Sequence, residues 1–565
     1  MPVSPPASSV RRTGGQILVD QLRIHGIDHV FCVPGESYLA VLDALHDSQI
    51  KVTVCRQEGG AAMMAEAHGK LTGRPAACFV TRGPGATNAA PGIHIAQHDS
   101  TPMLVFIGQI ERRVRERGAL QELDYRAVFG SMTKWATEIE DAGRIPEIVS
   151  RAVHLATSGR PGPIVIALPE DMLVDTSDAA DGLPALPVEA NPGAEQMAAL
   201  HKLLSQAERP FVVLGGSRWS ADAVREFAAF AEQWCIPVAV SLRRQMLFPT
   251  DSPSFVGDLG FGTNPKLVEH VKSADLLLLI GSRMSEVPSQ GYTLLEIPVP
   301  RQTLVHVLPE AAELGRVYRA TLPICATPTA FVEALRGVKL APSAARSEFL
   351  AKARRDYQAW SDTTTIRSPG ALQMAEVMRE LDRRLPADAI LCNGAGNYAT
   401  WIHRFHRFRA FGTQLAPTSG SMGYGVPAAI AAKRIDPSRT VVAFAGDGCF
   451  LMNGQEFATA VQYDLPIVVI LVDNGMYGTI RMHQEREYPG RVVATRLRNP
   501  DFAAYAQAFG GHGERVTRTE EFAPAFERAI ASKKPAILHC LIDPEAISPS
   551  ATLTQVREAA IAAGR

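Results

Sequence analysis

Along most of the chain, short runs of apolar residues alternate with stretches whose apolar positions recur at helical spacing. Runs such as AACFV, LPIVVILV and ADLLLLIG are rich in branched residues and bounded by Gly, Pro or Asp, which predicts buried parallel strands joined by helices. Two Pro-rich stretches interrupt this alternation, at 181–193 (DGLPALPVEANPG) and near 339–348 (KLAPSAARSE). The pattern predicts an α/β protein of three doubly wound parallel-sheet domains, over 12–180, 192–340 and 365–545. In the middle domain the strands are RPFVVLGG, IPVAVSL, ADLLLLIGSR and QTLVHVLP. Its functional signals are weak beyond an open question about a nucleotide-like ligand.

With 565 residues, 46% hydrophobic and 20% charged, the chain can build more than one core. A formal net charge of −1 gives no electrostatic reason to expect nucleic acid or an anionic membrane as partner. The longest apolar runs are too short to span a bilayer. The Pro/Ser-rich start, MPVSPPASSVRR, lacks the apolar centre of a signal peptide and reads as a disordered lead-in, so a cytoplasmic location is expected. Eight scattered cysteines, none in a C-x-x-C pair, predict reduced and mostly buried thiols rather than disulfides or a zinc site.

The strongest chemical signal is TVVAFAGDGCFLMNGQEFATAVQYDLPIVVILVDNGMYGTI. It reads as a strand over 440–445, a G-D-G turn, a helix, a second strand over 466–472 and then D-N-G. A bare G-D-G is usually a plain strand–turn–helix with a solvent-facing Asp. Here Asn474 stands 27 residues after Asp447 (474 − 447), at the end of the next strand. Both residues then fall at the carboxyl edge of one sheet, where open α/β sheets bind ligands. An Asp oxygen, an Asn amide oxygen and a backbone carbonyl form a hard donor set suited to Mg²⁺ beside phosphate oxygens. Gly446 and Gly448 would let the backbone approach those phosphates, and helix N–H groups would add to anion binding.

The block resembles the metal- and diphosphate-binding motif of thiamine-diphosphate-dependent enzymes. The resemblance implies that Asp447, Asn474 and the carbonyl of Met476 hold Mg²⁺, with Cys449, where Ser is usual, and Tyr477 beside the cofactor. Two more blocks match the family. NGAGNYATW (393–401) is similar to the loop around the diphosphate, through Gly394, Gly396 and Asn397; SGSMGYGVPAAIAA (419–432) places Gly420 and the cofactor-bending Met422.

In the first domain a strand over 51–55 ends just before Glu58, and the loop GPGATN (83–88) follows a later strand. Alone, Glu58 could be a solvated charge at a helix start. The family resemblance implies instead that it hydrogen-bonds N1′ of the aminopyrimidine, which drives cofactor activation and calls for a carboxyl tuned by burial, with Pro84 and Asn88 nearby. It further implies at least a homodimer, since the pyrimidine and diphosphate halves come from different subunits in this family; a tetramer is the alternative.

Within the family the chain is most similar to acetohydroxyacid (acetolactate) synthase catalytic subunits, through GPGATNA, DSTPMLVFIGQ, LQELD and GRPGPIVIALPED. That likeness implies decarboxylation of a 2-oxo acid such as pyruvate and ligation to a second carbonyl, with Gln121 and Lys134 near the substrate. Other readings are simple decarboxylation, lysis of a 2-hydroxyacyl or oxalyl thioester of coenzyme A, or a regulatory protein that binds the cofactor without turnover. The signals for FAD conflict: Arg283 in GSRMSE aligns with a flavin-contacting Arg, but HVLPE (306–310) lacks the acidic strand end. His483 replaces a Trp that favours larger acceptors. Glu36, in VPGES, is either an active-site acid or a helix cap. His94 and His98, one helical turn apart, read as pocket-lining or packed, and ERRVRERG (111–118) as a solvated charged segment with an open link to anionic substrates.

Overall fold

A computed structural model describes residues 11–564. The first ten residues of the expected lead-in lie outside them; its last two are ordered, and Arg12–Thr13 pairs antiparallel with Thr176–Ser177. The chain forms two compact units, Met1–Val188 and Glu189–Arg565. Between them they contain three six-stranded sheets, each parallel throughout and flanked by helices.

In the first unit the strands lie in the order Lys51–Val54, His29–Cys32, Ala77–Val80, Met103–Gln109, Pro163–Pro169, Trp135–Glu138. The central strands are buried along their whole length, as continuous apolar runs covered on both faces must be. The chain steps outward from His29–Cys32 to Lys51–Val54, then back to Ala77–Val80. That reversal opens a crevice at the carboxyl edge, and Glu36, Glu58 and the Gly83–Asn88 segment all follow strands ending there.

The second unit holds the other two sheets. One is ordered Phe255–Leu259, Val238–Ser241, Pro210–Leu214, Leu276–Ile280, Thr303–Leu308, Leu322–Cys325. The other is ordered Gln414–Leu415, Ile390–Asn393, Val441–Gly446, Val468–Asp473, Ala536–Leu541, His512–Val516. In chain order the first and last sheets share the pattern 2-1-3-4-6-5, whereas the middle one is wound 3-2-1-4-5-6. At the middle sheet's reversal the Gly215 and Gly216 carbonyls accept from this chain's own Trp219 Nε1 (2.9 Å) and Arg244 Nε (3.0 Å).

All eight cysteines are free, and all but Cys235 and Cys325 are buried. Among the described residues no helix is long and apolar enough to cross a membrane.

Candidate active site

In the second unit, five loops leave the carboxyl edge of the last sheet and meet around one cavity of about 220 Å³. Gly396 and Asn397 come from the loop after Ile390–Asn393, and Gly420 and Met422 from that after Gln414–Leu415. Gly446 to Cys449 follow the third strand, Asn474, Met476 and Tyr477 follow Val468–Asp473, and Ile542 and Ile547 follow Ala536–Leu541. Gly394 is not part of this lining. It packs behind it, where an added Cβ would come within 2.6 Å of Cys449 Sγ.

The G-D-G turn differs from expectation in two respects. The helix it opens is a single turn, Asp447–Phe450, broken before Phe457–Gln462, so no long helix presents its N-terminus here. The glycines make room for aromatic rings as well as open space: a Cβ on Gly446 would meet Tyr398 at 2.9 Å, and one on Gly448 would meet Tyr477 at 2.5 Å. Cys449 points inward, its Sγ 3.2 Å from both the Tyr398 hydroxyl and the Gly423 N–H.

Asp447 is 3% exposed. Burial raises its pKa above the ordinary carboxylate value, and the nearby Asp473 carboxylate adds to the rise. Sequence reasoning missed the group that holds the pair together. Asn499 Nδ2 donates to Asp447 Oδ2 at 2.7 Å and to Asp473 Oδ1 at 2.8 Å. Burial pulls Asp473 upward too, but His539, with Nε2 at 2.8 Å, the Gly475 N–H and Asn499 together hold it below its ordinary value. Beside this pair, Asn474 Oδ1 accepts from the Met476 N–H at 3.3 Å and the Met476 carbonyl accepts from the Gly478 N–H at 2.9 Å. The buried Asp447 carboxylate with its raised proton affinity, an amide oxygen and a carbonyl make a donor set that could hold a hard divalent cation. Asn397 is fixed from the side by Thr479, whose Oγ1 accepts from its N–H at 3.0 Å and donates to its Oδ1 at 2.9 Å.

The first unit brings a second group together. Glu58 is the first residue of the helix Glu58–Thr72, and Asn88 Nδ2 donates to its Oε2 at 3.0 Å. The expected loop over 83–88 is a short helix, Gly83–Asn88, with Pro84 in its first turn, and Gly85 lets it lie against that carboxylate, since a Cβ there would sit 3.3 Å from Glu58 Oε1. The same helix is tied to Gln121, whose carbonyl accepts from the Gly83 N–H at 3.1 Å; Gln121 itself holds a φ of +64°. Glu36 starts a 3-10 turn, where its own N–H holds its carboxyl below the ordinary value and Arg82, at 2.9 Å, adds to the effect.

Other expectations are corrected. Lys134 immediately precedes the strand Trp135–Glu138, at the amino edge of the sheet, and its Nζ donates to the Ser158 carbonyl at 2.8 Å. It therefore lies at the opposite edge from Glu58 and Gln121. His94 and His98 are exposed, their rings 4.5 Å apart, rather than packed. The 111–118 segment is ion-paired rather than freely solvated: Arg112 contacts Asp171 (3.0 Å) and Asp175 (2.6 Å), and Arg115 contacts Glu138 and Glu140. Arg283 lies 4.0 Å from Glu313, and His306 is buried with Nε2 2.9 Å from the Ser282 carbonyl. His483 is exposed on the helix Gly478–Glu487.

A doubly wound sheet whose carboxyl-edge loops pair a buried G-D-G aspartate with a D-N-G asparagine defines a cofactor-binding enzyme architecture. The chain matches three family models in succession: the thiamine pyrophosphate enzyme N-terminal binding domain over residues 12–128, the central domain over 197–335 and the C-terminal binding domain over 394–540. It is 32% identical to the acetolactate synthase large subunit of Corynebacterium glutamicum, covering 96% of this chain and 88% of that protein. It is 30% identical to the acetolactate synthase isozyme 2 large subunit of Escherichia coli, covering 94% and 95% respectively. It is also 30% identical to a putative thiamine pyrophosphate-containing protein, YdaP, of Bacillus subtilis, covering 94% and 92%. The chain belongs to the thiamine pyrophosphate (thiamine diphosphate) enzymes and is acetolactate-synthase-like.

Proposed function

We propose that this enzyme decarboxylates a 2-oxo acid such as pyruvate and joins the retained acyl unit to a second carbonyl compound. The observation that carries the reading is the five-loop cavity, with Asp447, Asn474 and the Met476 carbonyl at one sheet edge. In this reading those three groups hold Mg²⁺ against the diphosphate, and Met422 supports the cofactor's bent shape. Bound thiamine diphosphate supplies the nucleophilic carbon and the electron sink for decarboxylation.

This chain's residues do the rest. Glu58, positioned by Asn88, would exchange a proton with N1′ of a bound pyrimidine, with Pro84 beside it. The short helix Gly83–Asn88, tied to Gln121, would help orient the substrate. Glu36 stays ionised against Arg82, which suits an electrostatic role better than proton donation. The functional enzyme is a homodimer at minimum, with each site completed by two copies.

The test is incubation of purified protein with pyruvate, thiamine diphosphate and Mg²⁺, followed by product identification and an absorbance scan for flavin. Acetolactate with one CO₂ per product supports the synthase reading. Acetaldehyde, or no reaction, rejects it in favour of decarboxylation or an acyl-coenzyme A substrate. The replacement of Trp by His483 is the feature that favours a different acceptor.

A further inference from the structure

We infer that Asp28, His29 and His68 form a binding site for a divalent transition-metal ion of the zinc class at the amino edge of the first sheet. Asp28 immediately precedes the strand His29–Cys32. His68 lies near the end of the helix Glu58–Thr72, ten residues and about 15 Å along it from Glu58. One ligand atom from each of the three lies within 4.8 Å of the others. His29 Nδ1 is 2.8 Å and His68 Nε2 3.4 Å from the same oxygen, Asp28 Oδ1. Ligands bound about 2.0–2.1 Å from one zinc ion are separated by distances of this size.

The contacts of the His68 ring make the site more than a coincidence of positions. Its Nδ1 lies 3.2 Å from the Arg74 carbonyl, which can only accept, so Nδ1 carries the hydrogen. Thr72 Oγ1, also near Nδ1 at 3.4 Å, donates to the His68 carbonyl at 2.8 Å. A neutral His68 therefore presents the lone pair of Nε2, and that lone pair faces a carboxylate oxygen. The ring is 1% exposed with its Nε2 beside Asp28 Oδ1, and among the described residues His29 Nε2 has no hydrogen-bond partner. Only a second ring proton or a cation resolves this opposition.

The neighbouring His29 ring is 5.0 Å away. Arg74 already pairs with the other Asp28 oxygen at 3.2 Å. A metal ion would accept the imidazole and carboxylate lone pairs together. The Arg74 carbonyl on His68 Nδ1 then fixes the ligating tautomer, as outer partners do in metal sites. The Asp28 side chain is 48% exposed, so solvent can reach a fourth position.

The experiment uses the full chain, stripped with chelator and saturated with Mg²⁺ and thiamine diphosphate, and then titrated with Co²⁺. The expected result is one equivalent bound per chain with the strong visible bands of tetrahedral Co²⁺. His68→Gln and Asp28→Asn should each weaken that binding by more than about tenfold, the least that loss of even an outer partner costs. Absence of the bands in the wild-type protein would overturn the site. So would unchanged binding in Asp28→Asn, whose half-exposed position keeps the comparison valid if His68→Gln does not fold.

Discussion

Asn499 Nδ2 donates to Asp447 Oδ2 at 2.7 Å, and the same nitrogen is the donor to Asp473 Oδ1. One neutral amide thus bridges two neighbouring buried carboxylates. Replacing Asn499 by Leu leaves both without it, and the expected loss of stability is roughly 1–3 kcal/mol. A cation between the carboxylates and a diphosphate does the same electrostatic work, so Mg²⁺ and thiamine diphosphate should narrow the deficit. Urea unfolding midpoints with and without the ligands measure this. A deficit that is unchanged by ligand would show that Asn499 does not serve the site.

Glu58→Gln retains size and the Asn88 contact but removes the exchangeable carboxyl proton. Turnover should fall by about 10²–10⁴-fold, the usual share of a positioned acid or base. Affinity for thiamine diphosphate, measured by calorimetry, should stay within a few-fold. Wild-type turnover in this variant would remove Glu58 from the mechanism.

How legible the site was in sequence follows from how each residue is held. Asp447 and Asn474 were readable because adjacent parallel strands deliver their following residues to one edge, so sequence spacing translates directly into proximity. Asn499 was not, because it returns from an irregular loop, 25 residues beyond Asn474 (499 − 474), with no motif around it. Lys134 was misplaced because composition cannot tell which end of an edge strand a residue marks; only its pairing with Pro163 does. Apolar runs disclosed the long central strands, such as Val468–Asp473. The two-residue Gln414–Leu415 and the more polar His512–Val516 lacked the pattern and were not singled out.

Glu485 provides a pH-dependent test. Its side chain is 1% exposed and takes Arg557 at 2.7 and 2.9 Å, Arg481 at 2.5 Å and the Gly490 N–H at 2.8 Å. These partners, Arg557 foremost, lower its pKa from 4.5 to about 2. A depressed carboxylate contributes stability that is present above its unfolded value and lost as pH falls through the folded one. Glu485→Gln should therefore cost on the order of 2 kcal/mol near neutral pH, with the cost shrinking as pH falls from 4.5 towards 2. The contact joins the helix Gly478–Glu487 to Leu553–Ala562, so the variant should also loosen the segment after Asn474. Paired unfolding curves at about pH 7 and about pH 3 give the comparison; an equal loss at both would contradict the assignment.

Gly448 separates two reasons for a glycine in the G-D-G turn. One is close approach of the backbone to a diphosphate; the other is the ring of Tyr477, which an added Cβ would meet at 2.5 Å. Gly448→Ala must displace that ring, and overpacking of this kind costs about 1–3 kcal/mol. Tyr477 also lines the cavity, so cofactor affinity should fall along with stability. Adding Tyr477→Ala removes the clash and should restore the stability of the unliganded protein towards that of Tyr477→Ala alone. If the ring is the sole reason for the glycine, the double variant should then bind thiamine diphosphate as Tyr477→Ala does. If the backbone must also approach the diphosphate, its affinity should remain below that of Tyr477→Ala. Unfolding midpoints and calorimetric titration of the four proteins separate the two constraints on one residue.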